Sequence, residues 1–197
     1  MNHDRSFVSG KDIEVSGKIA VHIHIYYENL IDEFVSYLQH MPLFYDLFIS
    51  VTNEKALEQC QNKFNALPFL LKLNIKQVPN RGRDMAPFFC TFGEQIRHYD
   101  YIAHLHSKQS LYNQGATQGW REYLCGTLFS GSDNINAMIG FLQENNQIGL
   151  IYPQTYHRVP YMAHTWLANK RLGRIWCNRL GITNLPIGYF DFPVGSM

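Results

Sequence analysis

Four short strand-like runs, each followed by a segment that carries apolar residues at helical spacing or a polar turn, leave this chain few ways to fold. Ile19-Ala-Val-His-Ile-His-Ile-Tyr26 reads as a strand, and Asn29 to His40 follows with Leu30, Ile31, Phe34, Val35 and Leu38 along one helical stripe. Tyr45 to Thr52 reads as a second strand, after which Asn53 is a good N-cap for a helix from Glu54 to Asn65. Leu73 to Val78 gives a third strand, the turn Pro79 to Asp84 follows, and Asp84 can cap a helix through Phe88, Phe89, Phe92 and Ile96. Tyr101 to His106 is the fourth strand. A helix between successive strands is the crossover that a parallel connection needs, so the pattern predicts an α/β fold, a mostly parallel sheet with helices on both faces. Farther on, Trp120 to Phe129 and Asn134 to Glu144 read as helices, Ile148 to Pro153 as a strand and Thr155 to Tyr161 as a loop. Ala163 to Leu180 reads as one helix stopped by Gly181.

A length of 197 residues suits one core. The expected layout is an N-terminal extension over 1–18 and a single domain over 19–197, and the apolar stretch Phe190 to Met197 predicts that the domain continues past that point. Seventeen basic residues against sixteen acidic ones, a net charge of +1, exclude the electrostatic footprint of a nonspecific nucleic-acid binder. The cysteines Cys60, Cys90, Cys125 and Cys177 stand singly, without a C-x-x-C pair, which argues for reduced thiols rather than staples or metal knuckles. The start lacks the apolar segment of a signal peptide and no later run has the length of a spanning helix, so a cytoplasmic location is expected.

In open α/β sheets, ligands bind beyond the carboxyl ends of the strands, which directs attention to two segments. In Asn80-Arg81-Gly82-Arg83-Asp84, two guanidiniums flank a glycine in a turn that feeds a helix N-terminus, and a diphosphate would fit there. The bland alternative is a pair of solvated arginines beside a capping aspartate. In His104-Leu-His-Ser-Lys108, period-two geometry points His104 and His106 to the same face, and Lys108 can neutralise a phosphate. The imidazoles are either hydrogen-bonded core residues or ligands of a divalent metal, and His22 and His24 repeat the pattern on the first strand. The sequence demands no cofactor outright, and a divalent metal on His104 and His106 is the option it leaves open.

Five stretches in register, 80–88, 101–108, 119–124 (Gly-Trp-Arg-Glu-Tyr-Leu), 148–153 (Ile-Gly-Leu-Ile-Tyr-Pro) and 192–197 (Phe-Pro-Val-Gly-Ser-Met), resemble the rhamnan synthesis protein F family. The likeness runs from about Ile19 to the last residue. It implies a glycosyltransferase A-like domain of bacterial surface-polysaccharide assembly that moves rhamnose or a related sugar from a nucleotide-diphosphate donor, such as dTDP-rhamnose, to a glycan or lipid-linked glycan. No nucleic acid is implied. Association with the inner face of the plasma membrane would then run through the assembly machinery. Such folds place an Asn-x-Gly turn after the third strand, matched here by Asn80 and Gly82, and an Asp-x-Asp metal motif after the fourth, where this chain has His104 to Lys108 instead. The resemblance thus implies donor binding by Asn80, Arg81, Gly82, Arg83, Asp84, His104, Ser107 and Arg121. It implies chemistry at His106, Lys108 and Asp191, with Gly195 and Ser196 on the acceptor side. Two readings from other classes compete: a glycan- or nucleotide-sugar-binding module without turnover, and a metal-dependent hydrolase built on His22, His24, His104 and His106.

Overall fold

Two of the strands consist of residues that are buried without exception, the mark of interior strands covered on both faces. In the computed structural model, which describes residues 15–107, 119–193 and 197, these are β1 (Ile19–Ile25) and β2 (Tyr45–Val51). β3 (Leu70–Gln77), only partly buried, and β4 (Tyr101–His106) form the edges of a four-stranded, all-parallel sheet of order β3-β2-β1-β4. The α/β expectation holds, with elements on both faces.

Strand parity decides which face each residue serves. Val21, Ile23 and Ile25 join Leu47 and Ile49 on the face covered by α1 (Ile31–Leu38) and α2 (Glu54–Phe64), where Phe34, Leu38 and Phe64 are fully buried. Burying each such side chain stabilises the fold by roughly 1.5–3 kcal/mol. Asn53 caps α2 as expected, its Oδ1 accepting from the Ala56 amide at 2.8 Å. α4 (Trp120–Leu128) and α5 (Ser132–Glu144) add Leu124 and Ile135 to the same core. The alternate residues Ala20 and Phe48 face a smaller cluster with Phe92 and Ile96, from the connection between β3 and β4. That connection starts at one edge of the sheet and ends at the other. It leaves the strand order reversed between β1 and β4, and a crevice beyond their carboxyl ends is where such sheets bind ligands.

Three expected elements differ. The helix after Asp84 is not continuous: a π-helical turn, Pro87–Thr91, precedes the short α3 (Gly93–Ile96). The Phe92 amide donates to the Pro87 carbonyl at 3.3 Å, five residues back, and Pro87 has no N–H of its own to give to a regular ladder. No strand forms at 148–153, where Leu150 is exposed. An apolar run becomes a strand only by pairing, and the sheet ends at β4 among the described residues. Nor is 163–180 one helix. Leu167, at φ 45°, interrupts it, leaving 3-10 turns at Tyr161–His164 and Leu167–Asn169 before α6 (Lys170–Arg179). Gly181 does stop α6, at φ 73°, with its amide bonded to the Asn178 carbonyl and that of Ile182 to the Cys177 carbonyl.

Candidate functional site

The register of the sheet assembles the site. His22 lies beside His104 and His24 beside His106 across the β1–β4 pair, while on the other flank His22 faces Phe48 and His24 faces Ser50. Equal parity therefore puts four imidazoles and one hydroxyl on a single face, at the carboxyl half of strands flanking the crevice. His22, His24, Ser50 and His106 are buried, and His104 is nearly so. Phe88 roofs His22 and His104, with ring centroids at 5.4 and 4.7 Å.

One chain of hydrogen bonds links His24, Ser50, His22, His104 and Asp84. His24 Nδ1 lies 2.9 Å from Ser50 Oγ, which lies 3.2 Å from His22 Nε2. His22 Nδ1 lies 2.9 Å from His104 Nδ1. The two rings are tilted by only 4°, and parallel rings cannot bring two ring atoms so close unless they lie side by side, so the contact is in plane, where the lone pair is. His104 Nε2 then reaches Asp84 Oδ2 at 3.3 Å. Burial, reinforced by the neighbouring His104 and His24, pushes His22 down to about 2. Burial likewise lowers His24 to about 4, against the pull of Asp84 and with the push of His106 and His104. For Asp84, burial opposes ionisation, but the His104 hydrogen bond, the field of His106 and its own backbone amide outweigh it and hold the carboxyl at about 2.

Asp84 arrives from the turn that follows β3. Gly82 and Arg83 both adopt left-handed backbone, at φ 77° and 55°, and the Arg81 amide closes onto the Pro79 carbonyl at 2.7 Å. A side chain at Gly82 would put its Cβ 2.3 Å from that of Ala86. Gly82→Ala is therefore expected to destabilise the protein by about 2 kcal/mol or more, combining left-handed strain with that overlap. Urea unfolding reads this directly, and an unchanged midpoint would show that the turn relaxes at no cost. Asn80, Arg81 and Arg83 are solvent-exposed at the tip, while Asp84 is buried beneath them.

A family model described as rhamnan synthesis protein F matches residues 5–196. The chain belongs to the rhamnan synthesis protein F family. Among curated proteins and among solved structures, nothing matches. The family implies involvement in the synthesis of rhamnan and related polysaccharides.

In this rhamnan synthesis protein F chain, the residues singled out from sequence fall into separate groups. Asp84, His104 and His106 come together. Ser107 is buried with its Oγ accepting the Tyr26 and Tyr27 amides at 2.7 and 3.0 Å, and its own amide donates to the His24 carbonyl, so it ties the ends of β1 and β4. Arg121 forms a two-pronged pair with Glu33 of α1, at 3.1 and 2.9 Å, and a further pair with Glu122. Asp191 is 91% exposed, 3.6 Å from His164. Lys108, Gly195 and Ser196 lie outside the described residues, as does most of the 1–18 extension. As for a divalent metal, His104 spends both ring nitrogens on His22 and Asp84, and no group of three or more His, Cys, Asp or Glu among the described residues is placed to hold one. No described helix is long and apolar enough to cross a membrane. Sequence reasoning missed Ser50, whose only signal was a hydroxyl near the carboxyl end of the strand, on the parity of Phe48.

Proposed function

We propose that this domain binds a nucleotide-diphosphate sugar, with dTDP-rhamnose as the leading candidate, and transfers the sugar to a glycan or lipid-linked glycan during polysaccharide synthesis. The observation that carries the reading is the contact of Asp84 with His104. It joins the turn after β3 to the end of β4 at the point where the strand order reverses. Arg81 and Arg83 stand exposed on that turn, and left-handed backbone at Arg83 is a local strain of about 1 kcal/mol that an ordinary surface turn would shed by using glycine or asparagine.

In this reading the pyrophosphate lies against the Asn80 to Asp84 turn, with Arg81, Arg83 and Lys108 offsetting the charge that develops on the leaving group. Asp191, Gly195 and Ser196 belong to the acceptor side. The work is done in the cytoplasm, with the protein held at the inner face of the membrane by its partners in assembly. Family membership supports the polysaccharide setting, and the placement of the turn supports the donor class.

Titration calorimetry of full-length protein with dTDP-rhamnose, UDP-glucose and GDP-mannose is the test. Arg83→Ala and Lys108→Ala are each expected to weaken donor binding roughly tenfold, the scale of one charge-assisted hydrogen bond. Absence of binding to every donor, or binding that both substitutions leave untouched, overturns the reading. Binding without release of free dTDP over time favours the module without turnover.

A further inference from the structure

The hydrogen-bonded row from Asp84 to His24 has a direction. A neutral imidazole carries one N–H and one lone pair, so each contact in the row fixes the next. An ionised carboxylate can only accept, so His104 Nε2 must carry the proton it gives to Asp84. His104 Nδ1 is then a lone pair and accepts from His22 Nδ1–H. His22 Nε2 in turn accepts from the Ser50 hydroxyl, and Ser50 Oγ accepts from His24 Nδ1–H. What remains at the end is His24 Nε2, a bare acceptor at the carboxyl end of β1, with no partner among the described residues. The opposite arrangement of neutral rings needs a protonated Asp84.

We infer that these five groups form a proton relay, in which His24 Nε2 takes the proton of a substrate hydroxyl and Asp84 holds the resulting charge at the far end. The transfer balances without another reactant. The hydroxyl proton goes to His24 Nε2, and His24 Nδ1 releases its own to Ser50. Ser50 passes its proton to His22 Nε2, and His22 Nδ1 passes one to His104 Nδ1. His104 becomes an imidazolium against the Asp84 carboxylate, and the substrate oxygen is left with the electron pair that forms its new bond. Two rings that are hard to charge where they sit need not hold the charge at rest, because it ends on the ring paired with the carboxylate. The groups facing His24 are His22 on its own strand, Ser50 on β2, His104 and His106 on β4, and Asp84 from the turn after β3. His24 is the catalytic residue; Asp84, His104, His22 and Ser50 are positioning residues that set its tautomer.

As a route for an acceptor hydroxyl, the inference rests on the transfer reading above, but its physical core is testable without any substrate. Long-range proton–nitrogen correlation spectra of histidine-labelled protein near neutral pH should show His22 and His24 as the Nδ1–H tautomer, the rarer form in water, and His104 as Nε2–H. Ser50→Ala should convert His24 to Nε2–H while leaving His104 unchanged, and Ser50→Thr should restore the wild-type pattern. Nε2–H at His22 and His24 in the wild type overturns the relay whatever the enzyme transfers. With dTDP-rhamnose as donor and a rhamnan-containing extract as acceptor, Ser50→Ala should lower kcat tenfold or more with the donor KM within about twofold, and Ser50→Thr should recover most of the loss. Equal kcat for wild type and Ser50→Ala overturns the catalytic part. Correct tautomers in a protein that transfers no sugar count against the transfer reading alone.

Discussion

Acidification from pH 7 to about 4.5 is expected to remove roughly 3 kcal/mol or more of folding stability, a large fraction of what a domain of this size holds. The cause is the buried row of imidazoles. In the unfolded chain His22 and His24 titrate near their ordinary value of 6.5, whereas in the fold burial first, and neighbouring imidazoles second, lower them to about 2 and about 4. Above pH 6.5 both states leave these rings neutral and stability does not depend on them. Below it the unfolded state takes up protons that the folded state refuses, and each such group costs about 1.4 kcal/mol per pH unit. For His24 the loss ends near pH 4, and for His22 it continues toward pH 2. Asp84, held at about 2 against an ordinary 3.8, adds its own loss only below about pH 4. Urea unfolding midpoints at a series of pH values test this. His22→Gln should flatten the slope between pH 6.5 and 4, and a midpoint that stays level over that range in the wild type would contradict the buried, neutral state of the row.

Replacing Arg121 by methionine should cost about 2 kcal/mol of stability and leave donor binding as it was. Its side chain is 13% exposed and grips Glu33 with two hydrogen bonds, so removing it strands the carboxylate of a side chain that is itself only 25% exposed. The cost is dominated by that unpaired charge rather than by the worth of the pair. Arg121→Met combined with Glu33→Leu should therefore recover most of the lost melting temperature. Thermal unfolding of the single and double variants, alongside donor titration, separates this from the role that family resemblance implies. Unchanged stability with lost donor binding would return Arg121 to the ligand.

How far the sequence reaches is visible in the histidines. Period two on β1 and β4 was enough to pair His22 with His24 and His104 with His106, and to place each pair near a carboxyl end. It could not reveal that the strands lie side by side in a register that sets His22 against His104, because register is a property of the pair. The capping role read for Asp84 was a local inference from a helix that proved to be a π turn. Its partner His104 lies 20 residues away, and only the path of the chain across the sheet brings them together. Arg121 shows what neither motif nor spacing carries: the resemblance implies a donor contact, and the fold pairs its guanidinium with Glu33, 88 residues earlier. Ile148 to Pro153 has strand composition, but pairing is non-local and no described strand receives it.

By itself the sequence determined the α/β class, the Asn53 cap, the Gly181 stop and the family, since hydrophobic period, capping residues and the spaced motifs are all local in the chain. The tertiary structure alone decided which polar groups face one another, because strand order, register and the crossing of the β3–β4 connection fix distances between residues that the sequence holds far apart.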